Sequence, residues 1–467
     1  MIDLTDDHYA LDIDRARYVL GWEPKHTLRE TLPEMVSSLK ADPVMWYREN
    51  KLEPPAWILQ GGHAIAKSPS PLFVEDLMNE QRKMVVSTPE NSETPLENVH
   101  SWVTPNGLFF VRNHFDVPEI DVSEWRLQVH GCVGQELNLT WERLESFPTR
   151  SVFATMECAG NGRSFLQPPA EGVPWGAGAI GHAEWTGVPL KFVLQAAGLN
   201  PGVVEIVCEG ADRGAENDQP EPVPFARSLP LENALHPDTL LATRMNGEPL
   251  APSHGFPVRL LVPGWCGIAS IKWLRRLEAV DMPYTGYYQT VKYTVQRRTG
   301  RGQQTEMIGA MPVKSELVRP REGETLGLGT NRLFGLAWAG EDEIAAVEVS
   351  VDGGRRWAAA ELIGPRARYS WCLWEYLWSV GSAGEYTLLS RAISASGDIQ
   401  PTRHDPLCGG YLINFSRPTL VRVDADRRSR DLAGDTTTLL HEMNLLAEER
   451  SRYRLDVELE LTSGAGI

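Results

Sequence analysis

The sequence has few cysteines and no pair of them at metal-binding spacing. No CxxC motif occurs, and the six cysteines lie far apart, at Cys132, Cys158, Cys208, Cys266, Cys372 and Cys408. This spacing argues against a zinc or iron–sulfur site. A chain of 467 residues is also long enough to bury a core without a disulfide framework.

The sequence also lacks an excess of basic residues and any long apolar run. Its formal net charge of -17 argues against a nucleic-acid partner, which requires a basic surface, but leaves room for a small anionic substrate in a locally positive pocket. No apolar stretch approaches the roughly 18 residues of a membrane span. The first residues contain no basic leader and no twin arginine. We therefore expect no membrane span and a cytoplasmic protein, or a periplasmic one if the natural N-terminus is longer.

Changes in pattern divide the chain into four regions. Residues 1–50 read as two short helices around a Gly-Trp-x-Pro turn and resemble the C-terminal helices of extended short-chain epimerases, which indicates a packing remnant. Residues 80–295 mix short β-rich runs with Pro/Gly loops and a few helices such as PLKFVLQAAGL. Residues 426–467 form a charged tail with one amphipathic stretch, LLHEMNLLAEERSRY, typical of a docking helix.

Residues 300–425 have a different character from the region before them. The run IAAVEVSVDGGRRWAAAEL alternates apolar and polar residues and turns at Asp352-Gly353-Gly354, which predicts a β-hairpin. Further short strands at similar spacing, with tryptophans to fill a core, predict an immunoglobulin-like sandwich.

The stretch MECAGNGRSF, residues 156–165, surrounds a cysteine with flexible backbone and a cation. Gly160 and Gly162 allow a tight turn and close approach of the backbone to another group. Arg163 favours a thiolate over a thiol at Cys158, and a thiolate is a soft ligand for transition metals. From these residues alone, Cys158 is a metal ligand, a catalytic nucleophile or a small buried core residue.

Two further stretches carry cationic and aromatic residues near turns. TPNGLFFVRNHFDVP places Arg112 and His114 on one face if the segment is a strand. The long stretch that begins HGFPVRLLVPGW contains His254, Arg259 and Lys272, and Tyr293 follows. We expect these basic groups to meet in one pocket.

The motifs together resemble the sulfite oxidase family of molybdenum-cofactor enzymes over residues 80–425. They are NSETPLENV, TPNGLFFVRNH, ECAGNGRSF, WGAGAIGHAEWTGVPL, EGAD, NGEPL, HGFPVRLLVPG and IKWLRRLE. The resemblance implies an α+β protein: a mixed α/β molybdopterin-binding catalytic domain, residues 80–295, followed by an immunoglobulin-like β-sandwich dimerisation domain, residues 300–425. It also implies a homodimer.

The resemblance further implies which residues form the site. Cys158 would be the single protein ligand to molybdenum, and the catalytic residues would be Cys158, Tyr293, Arg112 and Arg163. The substrate would contact Arg112, Arg163, Trp175 and Tyr293. The residues expected to bind molybdopterin are Asn91, Ser92, Glu93, His114, Cys158, Asp212, His254, Arg259, Ser270, Ile271 and Lys272.

The activity implied is oxidation of sulfite to sulfate by oxygen-atom transfer. No cytochrome b5 domain is recognised, so we expect no haem in the chain and an external electron acceptor, cytochrome c or oxygen. Gly162 and Glu171 stand where many family members carry basic residues, and EWTGVPL, VPGWCG and SVDGGRRW resemble the bacterial sulfane-dehydrogenase-like branch, whose substrate is protein-bound sulfur. Two other hypotheses stay open: a sulfoxide-type reductase on the same fold, and an interaction protein that has lost catalysis.

Overall fold

The computed structural model describes residues 82–99, 101–216, 218–300 and 302–428. The predicted N-terminal region 1–50, and the predicted tail 426–467 apart from its first three residues, lie outside this part of the chain. Helices in the described part all fall short of the length and hydropathy that crossing a bilayer requires.

The first part of the described chain alternates short strands with very short helices. Its elements in chain order are β1 (Lys83–Val86), β2 (Asn91–Glu93), β3 (Val111–Arg112), β4 (Leu127–Gly131), β5 (Leu137–Leu139), α1 (Trp141–Glu145), β6 (Arg150–Glu157), β7 (Ile180–Pro189), α2 (Leu190–Ala197), β8 (Glu205–Gly214), β9 (Val223–Pro230), α3 (Leu231–Ala234), β10 (Leu240–Met245), β11 (Glu248–Pro249), β12 (Arg259–Leu261), β13 (Leu274–Val280) and α4 (Tyr287–Thr290).

The second part contains strands and a single 3₁₀ turn, Pro406–Cys408, among its described residues. Its strands are β14 (Thr294–Thr299), β15 (Gly302–Met307), β16 (Lys314–Arg319), β17 (Thr325–Trp338), β18 (Ile344–Ser350), β19 (Ala358–Ala359), β20 (Glu361–Ile363), β21 (Cys372–Val380), β22 (Gly384–Ser394) and β23 (Thr419–Arg428).

Helix α2 confirms the helix predicted from PLKFVLQAAGL. Leu190, Val193, Leu194 and Ala197 recur at helical spacing, and all four are buried. The helix ends at Gly198, whose φ of 68° is readily reached only by a residue without a side chain. The buried face joins the large apolar cluster that also contains Leu127 and Leu277 of the neighbouring sheet.

Two five-stranded sheets form the scaffold of the first part. One has the order β11-β10-β7-β6 with β12 paired to β10, and the other has the order β5-β4-β13-β8-β9. Strand β6 pairs antiparallel with β7 from Arg150 to Glu157, so the chain leaves this sheet at Cys158. The end of β6 therefore places the thiol at the edge of a rigid sheet.

The second part is the β-sandwich that the sequence predicts. Eight of its strands form the sandwich, in the order β19-β18-β22-β23-β17-β21-β20 with β16 beside β17, and β14 and β15 form a separate two-stranded sheet. Strands from both ends of this order contribute to one apolar cluster, including Leu333, Val347, Trp374 and Leu388, so the strands fold over a common core. The predicted hairpin is confirmed as the antiparallel pair β18–β19.

Two buried tryptophans join the first part to the sandwich. The indole Nε1 of Trp102 donates to the carbonyl of Trp371 at 3.1 Å, and the indole Nε1 of Trp371 donates to the carbonyl of Trp102 at 2.8 Å. The backbone N–H of Trp371 also donates to Thr155 Oγ1, on β6, at 2.7 Å. The sandwich is therefore fixed directly to the strand that leads to Cys158.

We predict that Trp371→Phe lowers the free energy of unfolding by about 1–3 kcal/mol, because the buried carbonyl of Trp102 loses its donor. The matched control is Trp357→Phe, since the half-buried Trp357 donates within its own hairpin, to the carbonyl of Gly354 at 3.1 Å. Urea unfolding of the two variants checks this. Equal losses in both would contradict the reciprocal tryptophan contact.

Candidate active site

A cavity opens where β6 ends. Its empty volume is about 620 Å³, with the solvent at its mouth included. Aromatic and aliphatic residues form much of the wall, among them Phe109, Phe110, Met156, Phe225 and Trp273. The ionisable or strongly polar side chains that line it are Arg112, His114, Cys158, Asp212, Ser253, His254, Arg259, Ser270, Lys272 and Tyr293.

The backbone around Cys158 is fixed on both sides of the thiol. Its N–H donates to the carbonyl of Ala179 on the path into β7, at 2.9 Å, and its carbonyl accepts from the N–H of Asn161, also at 2.9 Å. Gly162 follows with a φ of 93°, which a residue with a side chain rarely adopts. The turn therefore presents one buried sulfur to the cavity in a defined position.

The hydroxyl of Tyr293 contacts the side chains of His114 and Arg112. His114 Nε2 lies 2.6 Å from Tyr293 Oη, and Arg112 Nη2 donates to the same oxygen at 3.3 Å. Burial raises the pKa of Tyr293 to about 12. Burial, followed by the charges of Arg112 and Lys272, lowers the pKa of His114 well below its ordinary value. A neutral imidazole therefore accepts the hydrogen bond of a neutral phenol.

Positive charge exceeds negative charge among the side chains of this wall. Arg112, Arg259 and Lys272 face Asp212, the one carboxylate that the described lining residues supply. Burial lowers the pKa of Arg259 to about 9 and lowers the pKa of Lys272. Burial raises the pKa of Asp212, although Lys272 and Arg112 oppose that effect. Such a cavity favours an anion, because only an opposite charge offsets the desolvation of buried cations.

Two buried polar atoms of the cavity lining point to the same conclusion. Within the described residues, Arg259 Nε and Asp212 Oδ1 have no hydrogen-bond partner. Native interiors rarely leave such atoms unsatisfied, so a polar group with both donors and acceptors fits this wall. Lys272 Nζ, by contrast, already donates to Asn113 Oδ1 and to the carbonyl of Ser253.

Comparison with known proteins identifies that group. Residues 114–288 match the model of the oxidoreductase molybdopterin binding domain, and residues 305–412 match the model of the Mo-co oxidoreductase dimerisation domain. The sulfite oxidase of Gallus gallus is 38% identical over 343 residues, which cover 68% of this chain and 72% of that protein. The chain belongs to the sulfite oxidase family of molybdopterin oxidoreductases.

Two further family members extend the comparison. The mitochondrial sulfite oxidase of Homo sapiens is 35% identical over 338 residues, which cover 68% of this chain and 61% of that protein. The crystal structure of the sulfane dehydrogenase SoxCD from Paracoccus pantotrophus superposes with a TM-score of 0.65 and is 30% identical, with 77% of this chain and 92% of that chain covered. The protein is thus an enzyme of the sulfite oxidase type, with a molybdopterin-binding domain and a dimerisation domain.

The cavity residues fit the family's cofactor. The Cys158 thiolate suits molybdenum, since soft sulfur ligands suit such transition metals. Arg259 and Lys272 suit the phosphate of molybdopterin, and the unpaired Oδ1 of Asp212 suits a donor of a pterin ring. His254 and Ser270 line the same wall.

Four predicted cofactor residues are not among those that line the cavity. Asn91 Oδ1 accepts from Arg112 Nη1 and from the backbone N–H of Asn113, each at 3.2 Å. Ser92 Oγ accepts from Arg82, and the carboxylate of Glu93 accepts from the N–H of Gly176. Ile271 is fully buried in the apolar core. Asn91 and Ser92 pair through β2 with Arg112 and Val111 of the cavity lining, whereas Glu93 lines a separate cavity with Gly176. Contact of these four residues with the cofactor stays a prediction.

The two remaining predicted substrate residues also lie outside the cavity. Arg163 Nε donates to the carbonyl of Gly410 at 3.0 Å, and Arg163 Nη1 donates to the carbonyl of Val173 at 2.9 Å. Its guanidinium lies 5.4 Å from the ring centroid of Tyr411, whose ring lies 5.1 Å from that of Tyr293. Trp175 is fully buried in an apolar cluster. Arg163 is therefore one aromatic ring away from Tyr293, and a direct role for it in binding substrate stays a prediction.

The geometry around Arg163 gives Gly160 a steric role. A Cβ at Gly160 or at Gly172 would overlap the guanidinium of Arg163. Gly160 therefore makes room for an arginine, and close approach of its backbone to another group stays a prediction.

Sequence reasoning missed three residues at the site. Asn113 and Trp273 directly follow the predicted site residues Arg112 and Lys272 within the same motifs. Their position in the sequence could therefore have indicated that they lie near the site. Trp273 donates through Nε1 to the carbonyl of Pro252 at 2.9 Å, and Lys272 Nζ lies 4.2 Å from its ring centroid. Tyr411 comes from the dimerisation domain, and no motif indicates it.

We predict that acid destabilises the cofactor-free protein partly through His254. Burial, with the charges of Arg259 and Lys272, lowers the pKa of this histidine from 6.5 to about 3. Below pH 6.5 the unfolded chain binds a proton that the folded chain does not, so stability falls as the pH falls, by about 2 kcal/mol at pH 5.

Chemical unfolding of the cofactor-free wild type and of His254→Gln at pH 7 and pH 5 measures this contribution. The variant should lose less stability between the two pH values, whereas His130→Gln, at a partly exposed position on β4, should behave as the wild type. Parallel losses in wild type and His254→Gln would show that His254 does not titrate as described.

Proposed function

We propose that the protein oxidises sulfite to sulfate at a molybdopterin-bound molybdenum whose protein ligand is Cys158. The observation that carries this proposal is the placement of the Arg112 guanidinium and the Tyr293 hydroxyl, joined by a hydrogen bond, in the cavity that contains Cys158. The Arg112 guanidinium and the Tyr293 hydroxyl can both donate hydrogen bonds to a small oxyanion bound in the same cavity as Cys158. The identity of 38% to a sulfite oxidase supports the same reaction.

The overall reaction converts sulfite and water into sulfate, two protons and two electrons. When bound, the molybdenum cofactor supplies oxygen-atom transfer and accepts the electron pair. The protein's own contribution is to bind and orient the anion, to exclude water from the aromatic part of the cavity, and to keep the hydroxyl of Tyr293 protonated.

Each of three residues has a separate task in this proposal. Arg112 binds the sulfite oxygens through charge-assisted hydrogen bonds. Tyr293 stays protonated at neutral pH, since its pKa is raised to about 12, and its hydroxyl orients the substrate. His114, neutral and 2.6 Å from that hydroxyl, gives the phenol proton an acceptor at Nε2. The proton stays on Tyr293 Oη, because burial raises the pKa of the phenol and lowers the pKa of His114, and the hydrogen bond between them holds the phenol in place.

The protein would act as a homodimer, which the dimerisation-domain match over residues 305–412 supports. The electrons then pass to an external acceptor, cytochrome c or oxygen, in the cytoplasm.

Oxidation of a sulfane sulfur species is the second candidate. It is favoured by the superposition on the sulfane dehydrogenase SoxCD, which covers 92% of that chain. Gly162 and Glu171 also leave the neighbourhood of Arg163 less positive than two basic residues would. This neighbourhood is separated from Tyr293 by the ring of Tyr411, so its effect on a substrate is indirect.

The deciding experiment is turnover by the molybdenum-loaded protein with ferricyanide as acceptor. Sulfite should be oxidised, and Cys158→Ser should keep the fold but lose turnover, because a serine oxygen is a poor substitute for the soft thiolate. Turnover of a persulfide-carrying protein without turnover of sulfite would favour the second candidate. Reduction of sulfoxides by a reduced dye, without either oxidation, would overturn the proposed direction of reaction.

We predict that Arg112→Gln raises the KM for sulfite by about tenfold to a hundredfold, because one charge-assisted contact to the anion is lost. The matched control is Arg244→Gln, since Arg244 is exposed and its guanidinium donates to the carbonyl of Gly247 in a surface turn. Steady-state kinetics checks both variants. An unchanged KM in Arg112→Gln would remove Arg112 from substrate binding.

A further inference from the structure

Glu157, the residue immediately before the proposed metal ligand Cys158, has a buried carboxylate that accepts three hydrogen bonds. Glu157 accepts from Lys314 Nζ at 2.9 Å and from Asn161 Nδ2 at 2.9 Å through Oε1, and from the indole Nε1 of Trp338 at 2.8 Å through Oε2. Both partners of the Glu157–Lys314 ion pair have side chains that are only 5% exposed. Buried charges of this kind are retained only when paired and hydrogen-bonded.

This ion pair crosses from one family domain to the other. Glu157 ends β6 within the molybdopterin-binding match, whereas Lys314 begins β16 and Trp338 ends β17 within the dimerisation match. Lys314 Nζ also lies 5.5 Å from the ring centroid of Trp338. The dimerisation domain thus holds a cation next to the turn that carries Cys158.

The same carboxylate is connected to the backbone of that turn. Asn161 donates to Glu157 through Nδ2 and accepts from the N–H of Ala179 through Oδ1, at 3.0 Å. The carbonyl of Ala179 accepts from the N–H of Cys158, and the N–H of Asn161 donates to the carbonyl of Cys158. A closed set of hydrogen bonds therefore joins Lys314 to both backbone groups of Cys158.

A buried ion pair is a poor way to hold two domains together, because apolar residues of the same volume often stabilise as well or better. What the pair adds is a fixed geometry and two fixed charges at the turn that carries Cys158. We propose that Lys314 is a positioning residue for the molybdenum site: acting through Glu157, it fixes the Cys158 turn and sets the electrostatic potential at the metal. This inference rests on the proposed ligation by Cys158 and makes the dimerisation domain a part of the active site.

The first test uses the midpoint potential of the Mo(VI)/Mo(V) couple, followed by electron paramagnetic resonance during a redox titration of the loaded enzyme. Lys314→Met should lower the potential, because the loss of a positive charge favours the more oxidised metal. Glu157→Gln should raise it, and the double variant should lie between the two. Shifts of opposite sign cannot come from a general loosening of the fold.

The control for this test is Arg332→Met. Arg332 forms a largely buried ion pair with Glu375 at 2.6 Å inside the sandwich, away from the metal-binding turn. The Arg332→Met substitution should lower the free energy of unfolding and leave the Mo(VI)/Mo(V) midpoint potential unchanged. An unchanged potential in both Lys314→Met and Glu157→Gln, or shifts in the same direction, would overturn the proposal.

The second test needs no cofactor, so it separates this proposal from the proposed function. In the cofactor-free protein, deuterium labelling of backbone amides followed by peptide mapping should show residues 158–161 exchanging several-fold faster in Lys314→Met than in wild type, with no change in Arg332→Met. Equal rates in all three would refute the positioning role. A wild type that takes up no molybdenum but shows this labelling pattern would instead refute the proposed function alone.

Discussion

An excess of buried positive charge beside Cys158 is the constraint on which the rest of the structure depends. Arg112, Arg259 and Lys272 share a wall to which the described residues contribute a single carboxylate, from Asp212. Cations held away from water are costly unless an anion accompanies them. An anionic cofactor and an anionic substrate both relieve that cost, which is why one cavity can serve to bind both.

The two family domains meet at this cavity and act as one unit there. The segment at Trp371 pairs with Trp102 and with β6, Tyr411 packs near Tyr293, and Lys314 reaches the residue before Cys158. In each case a side chain of the second domain supports a side chain or turn of the first. The sandwich therefore helps to shape the site in addition to any role in dimerisation.

Local motifs, together with the family resemblance, predicted most of the charged residues that line the cavity. Cys158, Arg112, Lys272 and Tyr293 lie in or near short motifs whose residue types follow from the chemistry, and the structure brings all four to one wall. The alternating pattern around the Asp352 turn likewise predicted its hairpin, because hairpin pairing depends on neighbours in sequence.

Contacts between distant segments could not be predicted in this way. The direction of Arg163 is set by the carbonyl of Gly410, which lies far along the chain in the other domain. The buried ion pair of Glu157 with Lys314 likewise joins two residues that are far apart in the sequence. Nothing in the local sequence distinguishes Lys314 from a surface lysine, so only tertiary structure reveals that it is buried.

X-ray absorption at the molybdenum K-edge tests the central claim most directly, because it counts the sulfur atoms bound to the metal. The account predicts that molybdenum in the wild-type protein has one more sulfur neighbour at bonding distance than molybdenum in Cys158→Ser. An identical sulfur count in the two proteins, with equal molybdenum content, would show that Cys158 is not the ligand.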